Sequence, residues 1–217
     1  HVVFEGLKKV SKNIDEKFTP KPVLEYSKGK AQSEIDLMNC GKSYVILRLG
    51  SLYGKSFDSM RLNIMPNLFS KMSALGENIK IYSGGKQLKS LVSVIDVARC
   101  MEFVGEKENI TDEIFNCVNE SLSVKEVADI CKKVNKNVEF IHTNDSVPNN
   151  GYTLSNSKIK NAGFVFQYNL ENSIKELCRI YVSHSVKCEY CGNQRSTKAK
   201  GIAKEDYFDL LNFEKCL

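Results

Sequence analysis

Two residues near the start of the chain have types and spacing suited to proton transfer. Tyr26 and Lys30 are separated by one helical turn, so they would be neighbours on one face of a helix. A free tyrosine titrates near about pH 10, and a cation held close to it favours the phenolate, which can serve as a general acid or base. Tyr82 and Lys86 repeat the spacing across a Gly-Gly turn, where an exposed surface explains them equally well. Spacing alone therefore makes Tyr26 a candidate only.

Helices and strands are predicted to alternate around this pair. Helices are expected over 27–39, from 58 to 72 with Pro66 as a candidate kink, from Asp96 as its N-cap, from a capping box of Ser123 and Glu126, and over 170–181. Strands are expected at 44–49, 79–82, 91–94, 114–118 and 138–141, with a strand end at 2–4 and a loop over 11–25. This alternation is typical of α/β proteins.

Composition limits the class of protein. The chain has 217 residues, of which 42% are hydrophobic and 26% charged, so collagen-like, mucin-like and disordered classes are excluded. No apolar run approaches the roughly 20 residues that span a bilayer, and we expect a cytoplasmic protein without a membrane partner. The net charge of +5 is dispersed, which argues against nucleic acid and suits a small anionic ligand such as a phosphate.

Several motifs in order resemble one known family. The segment PVLEYSKGKAQSE from Pro22 to Glu34, followed by RLGSLYG from Arg48 to Gly54, resembles the extended short-chain dehydrogenase/reductase family of nucleotide-sugar epimerases and dehydratases. The resemblance continues through GGKQLKSLVSVID at 84–96, IFN at 114–116 and LSNSKIKNAGF at 154–164, and covers about residues 14–182.

The resemblance implies an architecture. We expect an α/β fold with a partial Rossmann-like parallel sheet, a small α/β substrate-binding lobe and a short cysteine-containing tail. Residues 1–54 and 91–118 would be the remnant of the nucleotide-binding domain, and residues 55–90 and 119–183 the sugar-nucleotide lobe. Residues 184–217 would form the tail.

The resemblance also implies roles. In the family, the tyrosine moves the proton of a sugar hydroxyl while a hydride passes between the sugar carbon and the nicotinamide of NAD or NADP. Tyr26 would take this role, and Lys30 would bind the nicotinamide ribose. The remaining candidates are Leu49, Gly50 and Ser51 beside the nicotinamide, Ser51, Tyr53 and Gly54 on the substrate side, and Lys89 on the diphosphate of the nucleotide sugar.

Some positions depart from the family pattern. Ser51 stands where the family usually has Asn, Ser93 where it has an aromatic residue or His, and Lys89 where it has Arg, whose two-pronged geometry a lysine loses. Glu5 and Gly6 occupy the position expected for a catalytic Ser or Thr. Either the register fails at this end or the catalytic triad is incomplete.

A Gly-rich turn for the dinucleotide diphosphate is absent from the 217 residues. By resemblance the chain starts near the fifth strand, so a missing N-terminal half or a complementing chain is an expected partner, as is a second copy in a homodimer. We therefore expect part of an NAD(P)-dependent epimerase, dehydratase or ketoreductase. The alternative is a truncated or degenerate module that binds sugar nucleotides or acts in assembly without catalysis.

The tail contains a possible metal site. Cys188 and Cys191 form a Cys-x-x-Cys knuckle, and with Cys216 they resemble half of a zinc ribbon, for which His184 could supply a fourth ligand. The alternative is a flexible tail with three reduced cysteines. The other cysteines lie mostly in apolar segments and are expected to be reduced core thiols.

Overall fold

The computed structural model describes residues 2–55, 60–145 and 151–187, with side chains described through residue 181. The helices are α1 (Glu25–Met38), α2 (Met65–Leu75), α3 (Val94–Gly105), α4 (Val124–Val134), α5 (Ser157–Asn161) and α6 (Leu170–Lys187). The strands are β1 (Ser11–Ile14), β2 (Val45–Leu49), β3 (Ser51–Tyr53), β4 (Ile79–Tyr82), β5 (Leu88–Ser93), β6 (Glu113–Cys117), β7 (Glu120–Ser123), β8 (Phe140–Thr143) and β9 (Tyr152–Leu154).

The strands pair mainly in parallel. The parallel pairs are β1–β9, β2–β6, β3–β5 and β4–β8, whereas β7 adds to β5 in the antiparallel direction. Parallel neighbours need crossover connections, and helices α1 to α4 lie in the segments of chain that separate these paired strands. The predicted α/β class with parallel strands is confirmed.

Local sequence signals explain where two of the helices begin. Ser123 and Glu126 form the predicted capping box, in which each side chain bonds the other residue's backbone N–H. Pro66, in contrast, does not kink a helix that started earlier. It lies in the first turn of α2, where a missing N–H and a fixed φ are tolerated. Residues 58 and 59, from which the helix was expected, are outside the described residues.

Asp96 was predicted to cap α3, and this is wrong. Ser93 is the N-cap, and its hydroxyl accepts a hydrogen bond from the Ile95 N–H at 3.3 Å. The fully buried Asp96 carboxylate accepts the backbone N–H groups of Gln167 and Tyr168 at 3.0–3.1 Å and pairs with Arg99. Asp96 therefore holds the segment before α6 against α3.

The N-terminal residues also differ from expectation. Residues 2–4 form a turn rather than a strand end, although Val3 and Phe4 are fully buried. The segment predicted as a loop over 11–25 contains β1, which pairs with β9 near the other end of the chain. Both differences arise from long-range contacts, because burial and pairing are satisfied by residues distant in sequence.

The buried apolar residues form three clusters. The largest lies between α2, α4, α6 and β4, the second between α3, β2, β5 and β6, and the third under the N-terminal turn. Four cysteines are free and buried, as expected for core thiols, whereas Cys40 is free and exposed; these four are Cys100, Cys117, Cys131 and Cys178. The predicted division into two domains stays a prediction.

A buried ion pair joins α1 to β2. The Arg48 guanidinium donates to both carboxylate oxygens of Glu34, with a shortest distance of 2.7 Å, and to the Glu16 carbonyl at 3.1 Å. The Arg48 side chain is 3% exposed and the Glu34 side chain 10%. Burying two charges away from water is favourable only when they are paired as completely as this. The pair therefore sets the position of α1 relative to the end of β2.

None of the described helices is both long enough and apolar enough to cross a membrane. The cysteines proposed for a zinc site, Cys188, Cys191 and Cys216, lie outside the described residues, as does the side chain of His184.

We expect Arg48→Met to lower the free energy of unfolding by about 3–5 kcal/mol, because Glu34 is left as a buried carboxylate without its cation. Lys28→Met is the control, since it breaks the exposed Lys28–Glu25 pair on the same helix and is expected to cost under about 1 kcal/mol. Urea unfolding of both variants checks this. Equal losses would show that the buried pair does not anchor the helix.

Candidate active site

A cavity of about 530 Å³ opens where α1 meets the ends of β2 and β3. Its lining includes most of the site residues predicted from the sequence, together with residues that were not predicted. The complete described lining is Val2, Tyr26, Lys30, Leu47, Leu49, Gly50, Ser51, Leu52, Tyr53, Gly54, Met60, Arg61, Ile64, Asn67 and Val94. Among these described lining residues there are two cations and no carboxylate. The charge of the cavity wall therefore suits an anionic ligand.

Tyr26 and Lys30 lie on the helix side of the cavity. Tyr26 is in the first turn of α1 and its side chain is 66% exposed, so the phenol is open to a ligand. The Lys30 ammonium lies 5.7 Å from the centre of the Tyr26 ring, within the range of a cation–π contact. The predicted neighbours are thus brought together on one face. Tyr82, which is 44% exposed, is not among the residues that line this cavity.

Leu49, Gly50 and Ser51 form the floor, at the carboxyl end of β2 and the start of β3. Gly50 occupies a tight crossing, because a Cβ there would lie 2.7 Å from the Ser90 carbonyl oxygen and 2.9 Å from the Val118 Cγ1. Its N–H donates to the Cys117 carbonyl at 3.0 Å. Only glycine keeps the strand this close to its neighbours, and the floor depends on that approach.

Tyr53 lines the cavity, but its hydroxyl has other partners. Its side chain is 1% exposed, and the hydroxyl lies 3.2 Å from a Glu120 carboxylate oxygen and 3.1 Å from the Tyr168 carbonyl. Burial, with the nearby Glu120 carboxylate, raises the pKa of Tyr53 well above its ordinary value. Tyr53 is therefore a neutral phenol whose hydroxyl is engaged by Glu120 and by the Tyr168 carbonyl.

Asn67 and Arg61 were missed by the sequence analysis. The buried Asn67 amide accepts the Gly54 N–H at 3.0 Å and donates to the Arg61 carbonyl at 3.1 Å. It thereby joins the end of β3 to the segment before α2 and holds the Arg61 backbone at the cavity rim. The only sequence signal was a polar residue directly after Pro66 in an otherwise apolar helix start.

Lys89 does not line this cavity. It is half-buried on β5, opposite Leu122 of β7, and burial lowers the pKa of its ammonium. Within the described part of the chain no carboxylate pairs with it. A partly desolvated cation without a partner is a candidate for contacting an anion, although the structure does not bring it together with Tyr26 and Lys30.

Glu5 and Gly6 do not line the cavity, and Glu5 contacts the start of α1. Glu5 accepts hydrogen bonds from the N–H groups of Val23 and Leu24 at 3.1 and 2.6 Å and from the Ser27 hydroxyl. A Cβ at Gly6 would lie 2.4 Å from the Lys21 carbonyl oxygen, so a serine does not fit there. The residue of this segment that lines the cavity is Val2, which has no hydroxyl to donate.

A metal centre finds no support in the part of the chain that the structure describes, where no group of three or more His, Cys, Asp or Glu residues is arranged to hold an ion. The proposed tail ligands are not among those residues.

Comparison with known proteins identifies a family. The sequence model of the NAD dependent epimerase/dehydratase family matches residues 6–117, which is just over half of the chain. Among curated proteins, none matches.

Solved structures share the fold at low sequence identity. UDP-glucose 4-epimerase from Thermotoga maritima, solved with UDP-glucose, superposes with a TM-score of 0.71 at 21% identity over 85% of this chain and 61% of that one. UDP-glucuronic acid 4-epimerase from Bacillus cereus, in complex with UDP-glucuronic acid and NAD, gives 0.68 at 18% identity over 84% and 59%. dTDP-glucose 4,6-dehydratase from Bacillus anthracis, in complex with NAD, gives 0.67 at 18% over 87% and 60%. The chain therefore spans about three fifths of the length of these structures.

Gly50→Ala should destabilise the protein by about 1–3 kcal/mol, because the added methyl group contacts the Ser90 backbone. Gly29→Ala is the matched control: Gly29 lies inside α1 with nothing within 4 Å of an added Cβ, so the change should be neutral or stabilising by up to about 1 kcal/mol. Thermal unfolding of the two variants checks the prediction. Similar stability for both would contradict the tight crossing.

The Glu5 contacts predict a pH dependence. Burial raises the pKa of Glu5, but the hydrogen bonds from Ser27, Leu24 and Val23 outweigh it and hold the pKa below the ordinary value of 4.5. The stability from these bonds is therefore complete above about pH 4.5 and is lost as the pH falls through the lower, folded-state pKa. The stability difference between wild type and Glu5→Gln, measured by urea unfolding, should shrink from pH 6 to pH 3. A constant difference would contradict this.

Proposed function

Since the chain belongs to the NAD-dependent epimerase/dehydratase family, we propose that it carries the proton-transfer side of an enzyme acting on a nucleotide sugar. The observation that carries the proposal is that Tyr26 and Lys30 share one cavity with Leu49, Gly50 and Ser51. Hydride exchange at a sugar carbon requires three things from the protein. These are a phenol open to the ligand, a cation beside that phenol and a surface at a strand end on which the cofactor can lie.

The cavity fits the nicotinamide end of a dinucleotide. Lys30 supplies a cation for the ribose hydroxyls, while Leu49 and Gly50 give an apolar, close-approaching floor for the ring. A nicotinamide cofactor bound here would supply reversible hydride transfer with the sugar carbon. The diphosphate would be held by residues beyond those of this chain, since its sequence has no Gly-rich turn.

Tyr26 would exchange a proton with the sugar hydroxyl. Its exposed phenol lines the cavity, and the Lys30 ammonium lies 5.7 Å from the centre of its ring. Ser51 would hydrogen-bond the substrate from the floor. Leu47, Leu49 and Leu52 give part of the wall an apolar surface, beside which polar contacts are stronger than in water.

A nucleotide sugar is the proposed substrate class. The structures with the same fold include proteins solved with UDP-glucose and UDP-glucuronic acid. In this chain, Arg61 at the cavity rim and the half-buried Lys89 are cations available to a diphosphate. Epimerisation, dehydration and ketoreduction all begin from this arrangement, with NAD or NADP as the hydride carrier.

A second candidate is a module that binds the nucleotide sugar without turning it over. The observation that favours it is Val2, which lines the cavity with no hydroxyl to assist Tyr26. Binding would then depend on the cations and the floor, and Tyr26 would act only as a contact.

Tyr26→Phe separates the two candidates. For an enzyme, removing one hydroxyl should lower kcat by about 10²–10⁴-fold while the KM for the nucleotide sugar changes by less than about threefold, because proton transfer is lost and binding is kept. The assay follows conversion of UDP-glucose or UDP-glucuronic acid with NAD by the full-length protein.

Tyr82→Phe is the matched control, since Tyr82 has the same spacing to a lysine but lies on the surface. It should leave turnover unchanged. Equal turnover in wild type and Tyr26→Phe would remove Tyr26 as the acid/base. Tight UDP-glucose binding without turnover in wild type would favour the binding module.

A further inference from the structure

Helix α1 carries Tyr26 but has no side-chain cap of its own. Its N-cap residue is Leu24, whose side chain cannot accept a hydrogen bond, and the first N–H groups of a helix need acceptors. Glu5, from a separate turn, accepts the N–H of the N-cap residue Leu24, and it also accepts the N–H of Val23 and the Ser27 hydroxyl. We propose that Glu5 is a positioning residue that sets the orientation of Tyr26 by capping α1 from a distance.

Tyr26 needs such an anchor because its own side chain is not packed. At 66% exposure, the phenol is placed by the backbone of the first helical turn rather than by neighbours. Ser27, the next residue, is fully buried, and its hydroxyl meets both Glu5 and the Leu24 carbonyl. Because Glu5 holds Leu24 and Ser27, it also holds the backbone of Tyr26 between them. The Glu5 contacts therefore act on the direction in which the Tyr26 side chain points.

Helix α1 has few other anchors. Its buried residues are Ser27 in the first turn and Glu34 in the third, the latter paired with Arg48. The helix is therefore held mainly by two polar contacts, at Ser27 in its first turn and at Glu34, with Ala31 between them packed against the apolar cluster under the N-terminal turn. The Glu34–Arg48 ion pair lies on the C-terminal side of Lys30. Loss of the Glu5 contacts would therefore leave the first turn of the helix, which carries Tyr26, free to move.

The turn that carries Glu5 is built for close approach. Gly6 donates to the Lys21 carbonyl at 2.9 Å, and a side chain at Gly6 would collide with that carbonyl. This crossing brings the carboxylate against residues 23 and 24. A negative charge at the first turn is also favourable with the helix dipole. The Glu5 and Gly6 pair thus has a structural task where the family resemblance led us to expect a catalytic hydroxyl.

The test compares Glu5→Ala with Glu126→Ala in the full chain. Glu126 caps α4 in the same way, accepting the Ser123 N–H at 2.6 Å, but α4 contributes nothing to the cavity. Both variants remove a helix cap, so their effect on stability is matched. The first readout is the set of nuclear Overhauser contacts between the Tyr26 ring and the Lys30 side chain. The second is kcat and KM for UDP-glucose per folded molecule, which depends on the function proposed above.

We expect Glu5→Ala to lose the Tyr26–Lys30 contacts and to lower kcat by about 10- to 100-fold with KM changed less than about twofold, as for a misplaced catalytic group. Glu126→Ala should keep both. Glu5→Gln retains an acceptor oxygen and should restore the contacts. If Glu5→Ala does not fold, Ser27→Ala, which removes one partner of the carboxylate, takes its place in the comparison.

Contacts that persist in Glu5→Ala as they do in Glu126→Ala would overturn the proposal. The nuclear Overhauser readout requires no turnover. A wild type that stays inactive when the residues binding the dinucleotide diphosphate are supplied would therefore end the enzyme proposal, while the positioning role of Glu5 would still be decided. Conversely, an active wild type with unchanged Tyr26–Lys30 contacts in Glu5→Ala would end only the positioning role.

Discussion

The buried guanidinium of Arg48 is the constraint on which the cavity depends. It joins three parts of the chain: the helix through Glu34, the strand that carries it, and the segment before the helix through the Glu16 carbonyl. That segment also accepts the Asn116 N–H from the neighbouring strand through its Glu16 carboxylate. Because unpaired charges are strongly unfavourable in this environment, the relative placement of helix and strand is restricted to one arrangement, and both walls of the cavity follow from it.

The helix that carries Tyr26 is stabilised differently from the others. α2, α4 and α6 bury apolar faces in the largest core, so their positions tolerate small rearrangements of side chains. α1 instead has polar anchors and leaves apolar residues such as Ile35 and Met38 exposed. Hydrogen bonds and ion pairs are directional, which suits a helix whose orientation, more than its burial, decides what it can do.

Patterns of local origin could be predicted from the sequence, and those of long-range origin could not. The strand before the floor, the capping box at Ser123 and the neighbouring positions of Tyr26 and Lys30 follow from periodicity and spacing within a few residues. Asp96 has the sequence of a cap, but its carboxylate binds backbone groups some seventy positions away. The same holds for β1, which pairs with β9, and for Asn67, whose partners are brought near only by folding. In each case the local sequence is compatible with two alternative structures, and a contact formed only on folding decides between them.

The cavity's charge has a kinetic consequence. Lys30 and Arg61 both line a cavity whose described lining includes no carboxylate, so its wall carries a positive charge. An anion diffusing nearby is drawn toward the opening before it makes any contact, whereas a neutral sugar is not. Selection for a phosphorylated ligand would thus begin during approach, and added salt would slow capture without altering the bound geometry.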